Sequence, residues 1–218
     1  MVINIDQPDR RAALKARHRR AILDAARALI DEGGPARFSV DQLAARADVS
    51  RRTIFNHFAS IDDVVTTACT EMLGAVIDNF RELVSATPIG PGDRTSMFEA
   101  VSAALRATDV PSTIAFLWQA LGGFSADDPR PQQIFQATFS RTTADLAREL
   151  AERNADRDPL EAELLVSSLM HGTEVIAQHW LAATGAATDG PARALWDELL
   201  DRLIETIRSG YRKERNHG

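Results

Sequence analysis

Apolar residues recur every three or four positions along this chain, the spacing that gives an α-helix one buried side. Ile22, Ala25, Ala26, Leu29 and Ile30 make the first such stripe, and Gly33-Gly34-Pro35 stops it. Val40, Leu43, Ala44 and Ala47 form a second, shorter one, and Val64, Val65, Ala68, Met72 and Val76 mark a long helix over about 61–85. Thr87 to Gly92 (T-P-I-G-P-G) is the clearest break. Beyond it the pattern predicts helices near 93–108, 111–123, 130–155, 159–183 and 191–213, separated by Pro111, the D-D-P-R stretch at 127–130, Pro159 and Gly190-Pro191. The last two carry the densest apolar stripes: Leu160, Leu164, Leu165, Leu169, Ile176 and Trp180, then Leu195, Leu199, Leu203, Ile207 and Tyr211. The fold class predicted is all-α. Met1 to Pro8 lacks periodicity and is expected to be an arm.

The most informative stretch, Phe38 to Asp62, holds the second stripe and runs to the start of the long helix. Ser39 stands three residues before Gln42, so hydroxyl and amide can cap each other's backbone donors at a helix start. Asp48 suits the left-handed turn that ends this helix, and Ser50 is a natural N-cap for the next. In that next helix Arg51, Arg52, Thr53, Asn56 and His57 are polar, whereas Val49, Ile54, Phe55 and Phe58 are assigned to the packed side. A helix held through one side and offering cations and hydrogen-bonding groups on the other suits the major groove of DNA. Ser60 and Asp63 form a further capping pair at the start of the long helix.

The chain of 218 residues is long enough for one domain or two, and few Gly and Pro agree with helices. A net charge of −6 would argue against nucleic acid if it were spread evenly. It is concentrated instead: up to Ser60 there are 11 Lys and Arg against 7 Asp and Glu, and after it 14 against 24. Such asymmetry fits a basic nucleic-acid reader on an acidic body. Arg10, Arg11, Lys15, Arg17, Arg19 and Arg20 cluster where the first helix begins, either as a solvated face or as contacts to phosphate or the minor groove. The single cysteine, Cys69, excludes an internal disulfide and reads as a small buried apolar residue. Val110 to Ala126, the longest uncharged run, is short for a membrane span, and Met1 to Arg20 lacks the apolar region of a secretory signal. A cytoplasmic protein without membrane contact is expected.

The run R-R-A-I-L-D-A-A-R-A-L-I-D-E-G, followed by F-S-V-D-Q-L-A-A-R-A-D-V-S-R-R-T-I-F-N-H-F-A-S-I-D-D-V, resembles the DNA-binding domain of TetR-family transcriptional regulators over about residues 18–66. The remaining two thirds fit that family in length and helical character. The resemblance implies a helix-turn-helix domain over 1–60 and a ligand-binding and dimerisation domain over 61–218. It implies a regulator, a repressor by preference, that docks on double-stranded operator DNA as a homodimer and is released by a small apolar effector. Ser50, Arg51, Arg52, Thr53, Asn56 and His57 would meet DNA, with Arg19 and Arg20 from the first helix. For Ser50 and Thr53, a plain capping or surface role stands beside contact. Two positions depart from the family's habit. Phe55 stands where relatives commonly have Tyr, and Ile61 where they usually have Lys, and both departures remove a grip on the DNA backbone. The 61–85 helix would set the spacing of two reading heads, and the last two helices would pair with their symmetry mates in a four-helix seam.

For the effector the body offers Phe116, Trp118, Phe124, Phe135, Phe139 and Trp180 as aromatic surface, with ordinary core as the competing reading. His171, Glu174, Gln178 and His179, with Val175 between them, lie on a narrow helical face that suits a pocket wall, or interface and surface hydrogen bonding. The two histidines lack the four-residue spacing of a helical zinc pair, and no metal or cofactor is expected. No nucleophile elbow, glycine-rich phosphate loop or redox cysteine pair occurs. An enzyme would therefore rest on the His171/Glu174/His179 face alone, and a helical adaptor would leave the basic first third without purpose.

Overall fold

In the computed structural model, residues 7–33, 38–87, 94–123, 143–153 and 158–209 are described. All regular structure among them is helical: α1 (Gln7–Gly33), α2 (Val40–Ala47), α3 (Arg51–His57), α4 (Ile61–Ala86), α5 (Arg94–Ala107), α6 (Val110–Ala120), α7 (143–153), α8 (Pro159–Thr184) and α9 (Gly190–Ser209). The fold is all-α, with an N-terminal helix-turn-helix and a helical C-terminal part. No described helix is long and apolar enough to cross a membrane.

Short polar side chains start these helices by satisfying donors that a first turn leaves unpaired. Ser39 Oγ accepts from the Gln42 amide at 3.2 Å while the Gln42 side chain accepts from the Ser39 amide at 2.8 Å, closing the capping box of α2. Ser60 Oγ accepts from the Asp63 amide, and the Asp63 carboxylate reaches back to the Ala59 amide at 2.9 Å. Asp109, Asp158 and Asp189 do the same for α6, α8 and α9, accepting from Ser112, Leu160 and Ala192. Each of those three helices has a proline in its first turn, where a missing N–H costs nothing. The same reasoning corrects the expected arm: α1 starts at Gln7, with Pro8 accommodated in its first turn.

By internal packing the chain forms two compact units. The first contains α1 to α3, α4 as far as Met72, and the chain from Phe116 to Gly123. Its core joins Ile22, Leu23 and Ala26 of α1 to Leu43, Ile54, Phe58, Val64 and Ala68. Beside it Ile30, Val65 and Cys69 pack with Phe116, Leu117 and Ala120. Burial pushes the Cys69 thiol up to about 12, so it behaves as an apolar group.

The second unit holds Leu73 to the end of α4, α5, the start of α6, and α7 to α9. Trp180 is its largest fully buried side chain, edge-on to Trp196 at 6.0 Å, and its Nε1 donates to the Ala192 carbonyl at 2.7 Å. Trp180 is therefore core, with its one donor satisfied. Gly172 marks a close approach of α8 and α9: a Cβ there would sit 2.2 Å from Leu203 Cδ1. Arg81 pairs with Glu149 of α7, and the Arg153 guanidinium donates to the Val84 and Thr87 carbonyls at the end of α4.

The apolar stripes of the last two helices divide between the core and the surface. In α9 the buried column is Trp196, Leu200 and Ile204, while Leu195, Leu199, Leu203 and Ile207 are half-buried. In α8, Leu169, Ile176 and Trp180 face the core, but Leu160 and Leu164 are 52% and 59% exposed.

Candidate nucleic-acid interface

The geometry of α3 follows from its two ends. Asp48 takes the left-handed conformation (φ 51°, ψ 46°) and its amide bonds to the carbonyls of Ala44 and Ala45, turning the chain sharply after α2. Ser50 Oγ then accepts from the Thr53 amide at 3.1 Å and lies 2.8 Å from the Thr53 hydroxyl, so both hydroxyls serve the cap. Ile54 is fully buried and fixes the rotation of the helix. At about 100° per residue, Arg51, Phe55, Arg52 and Asn56 then follow one another around the outer arc. All four are exposed. Phe55, expected on the packed side, is instead 49% exposed, because Ile54 and Phe58 already fill the core on that side. Arg51 lies 3.3 Å from Asp41 of α2, an exposed pair of small worth that a phosphate or base can replace.

Thr53 and His57 lie on the flank of α3 and are half-buried. The His57 ring meets His18 of α1 edge-on at 6.2 Å. Burial lowers its pKa, and Lys15, His18 and Arg19 lower it further. The Arg19 guanidinium stacks over Phe58 at 4.8 Å and lies 3.8 Å from Glu71, which also takes a 3.1 Å hydrogen bond from Arg27. Arg20 is exposed. Ile61, the residue that replaces a habitual lysine, is half-buried against both core clusters of the unit.

The body residues are placed differently from one another. Phe116 is 4% exposed within the cluster around Cys69, and Trp118 is half-buried with its ring 3.5 Å from where a Gly123 Cβ would be. Phe124, Phe135 and Phe139 lie outside the described residues. His171, Val175, Gln178 and His179 are exposed on α8, and His171 Nδ1 lies 2.9 Å from the Ser167 carbonyl. In the second unit α5, α8 and α9 border a cleft of about 540 Å³ lined by apolar Met97, Phe98, Leu164, Leu165 and Ile207 with polar Glu99, Glu161, Ser168 and Arg208. The Arg208 guanidinium bonds Glu99 at 2.9 Å and lies 5.5 Å from the Phe98 ring centre. Among the described residues expected to bind a ligand, Phe116, Trp118, Trp180, His171, Glu174, Val175, Gln178 and His179, none lines this cleft. It is built from three helices distant in sequence, and no local pattern announces it. Among the described residues no group of three His, Cys, Asp or Glu is placed to hold a metal ion.

A short helix capped by Ser50, rotated by Ile54 and displaying two arginines and an asparagine has the geometry of the second helix of a helix-turn-helix. Residues 22–67 match the family described as bacterial regulatory proteins, tetR family. The match covers the helix-turn-helix unit, so residues 22–67 are similar to the DNA-binding domain of that family. Solved structures agree in fold. A protein described as a TetR-family regulator from Mesorhizobium loti superposes with a TM-score of 0.61 at 19% identity, covering 89% of this chain and 96% of its own. A transcriptional regulator from Streptomyces coelicolor gives 0.56 at 25% identity, covering 86% and 98%. A second Streptomyces coelicolor protein, a TetR-family regulator, gives 0.54 at 17%, covering 89% and 96%. No curated protein matches the chain.

Proposed function

We propose that the chain is a ligand-responsive repressor that docks on a palindromic operator as a homodimer, with α3 in the major groove. The observation that carries this is the outer arc of α3, where Arg51, Arg52 and Asn56 stand exposed on a helix fixed by Ser50 and Ile54. Arg51 and Arg52 grip base edges or phosphates, Asn56 adds base hydrogen bonds, and Arg20 and Arg19 meet backbone phosphates beside them. Ser50 and Thr53, whose hydroxyls face each other, act mainly through the cap, and His57 mainly through its contact with His18. Domain roles divide at the start of α4, with reading before residue 60 and regulation after it.

The second copy is held through α8 and α9. Leu160, Leu164 and Val175 are among the most exposed large apolar side chains, and with His171 and Gln178 they fall within about 60° of one another around α8. On this reading His171, Val175, Gln178 and His179 serve the seam between copies, and the half-buried column of α9 joins them. A small, largely apolar effector occupies the body, for which the cleft bordered by Phe98, Leu165 and Ile207 supplies apolar walls. Its binding favours one tilt of α4 and so one spacing of the two reading helices. Half-sites recur once per turn of DNA, so a shift of a few ångströms prevents simultaneous docking.

Selection from a randomised duplex pool, followed by titration with salt, tests the reading. Wild type should enrich an inverted repeat and bind it with a steep inverse dependence on salt. Arg51→Ala with Arg52→Ala should abolish selective binding without changing the sedimentation coefficient, and the salt slope should fall by about one for each phosphate no longer gripped. Unaltered affinity in this variant would overturn the assignment of the reading face.

A further inference from the structure

Phe55 is the group on α3 that cations and caps do not explain. It stands at the middle of the exposed arc, one turn after Arg51, three residues after Arg52 and next to Asn56. Its ring is 49% exposed although the core beneath α3 is closed by Ile54 and Phe58. Without a hydroxyl it has no hydrogen bond to offer a phosphate. A major groove presents donors, acceptors and one apolar group, the 5-methyl of thymine. Flanking guanidiniums draw this face onto the polyanion and bring the ring between them to the base edges. The geometry points to Phe55 as a specificity residue that reads a thymine methyl in each half-site. This rests on α3 being the reading helix, and it gives a ring that cannot bond the DNA backbone a role at the bases.

The test uses the full-length protein and duplexes enriched by wild type from a randomised pool. Each thymine is replaced in turn by deoxyuridine, which keeps the base-pairing edge and removes only the methyl. At one thymine per half-site, wild type should lose about fourfold in affinity, the transfer worth of one buried methyl group. Phe55→Ala should bind the thymine and uracil duplexes alike at that position, with an unchanged melting temperature, and Phe55→Leu should retain part of the discrimination. Three results would each overturn the inference: wild type indifferent to uracil everywhere, Phe55→Ala equally weakened on both duplexes while still discriminating them, or Phe55→Ala unchanged throughout. The first is discrimination absent, the second a ring resting on sugar, and the third a ring that touches no DNA. Failure of the underlying reading looks different, since no duplex would be enriched and Arg51→Ala with Arg52→Ala would change nothing.

Discussion

At the scale of single residues, two side chains of the reading unit lend themselves to measurement. Ser50 holds the first turn of α3 through the Thr53 amide, and a seven-residue helix has little else to start it. Ser50→Ala should cost about 0.5–2 kcal/mol in urea unfolding, and Ser50→Asp should recover most of it. His57 is held below its ordinary 6.5 by burial first and then by Lys15, His18 and Arg19. The folded imidazole therefore resists a proton that the unfolded chain accepts. Its contribution is complete above pH 6.5 and is lost as pH falls through the lowered folded value. Melting temperature should thus drop between about pH 7.5 and 5, and His57→Gln should flatten that drop; an equal drop in both proteins would show that other groups carry it.

Elements are where the sequence was most legible, and where its limits are clearest. Every helix opened by Ser or Asp begins within a residue or so of its expected position, because a cap is a local contact between side chain and amide. Direction around the axis is harder. In α9 the columns Leu195-Leu199-Leu203-Ile207 and Trp196-Leu200-Ile204 both satisfy helical spacing, and only the neighbouring helix decides which is buried. Phe55 departs from its expected side for the same reason: composition says apolar, but Ile54 and Phe58 fill the site beneath α3. The cleft was invisible, because Phe98, Leu165 and Ile207 converge only in three dimensions. Gly172 gives this tertiary dependence a number. Alanine there gains about 1 kcal/mol in helix propensity. It also places Cβ 2.2 Å from Leu203 Cδ1 and 3.2 Å from Cγ, so turning the methyls alone does not relieve it. Overpacking of about 1–3 kcal/mol should win, and Gly172→Ala should lower stability in urea. Adding Leu203→Ala should recover part of that loss, giving a coupling that simple additivity would lack.

For the whole molecule the proposed seam makes a sharp demand. Leu160→Glu with Val175→Glu places carboxylates on the exposed face of α8, at positions that do not line the cleft. The variant should melt like wild type as a monomer yet sediment at half the mass at micromolar concentration. It should also lose selective binding to a two-site duplex while a single half-site is held as weakly as before. A variant that stays dimeric would move the seam elsewhere. The body's own ties tell a second story. Burial pushes the Asp109 carboxyl up, but hydrogen bonds from Ser112 and the Arg193 guanidinium outweigh it and hold it below its usual value. That contribution is present above pH 3.8 and fades as acid protonates the folded carboxyl, so the cap of α6 is one of the places where acid loosens the body.

The sealed environment of Cys69 has a practical consequence. With its thiol pushed up to about 12 by burial, Cys69 stays protonated at pH 8 and does not react as a thiolate. Ile30, Val65 and Phe116 also bar any reagent. A disulfide dye can therefore colour the native protein only when this cluster opens. The chain thus carries an internal clock for breathing of the reading unit, and any duplex that binds the closed form should slow it.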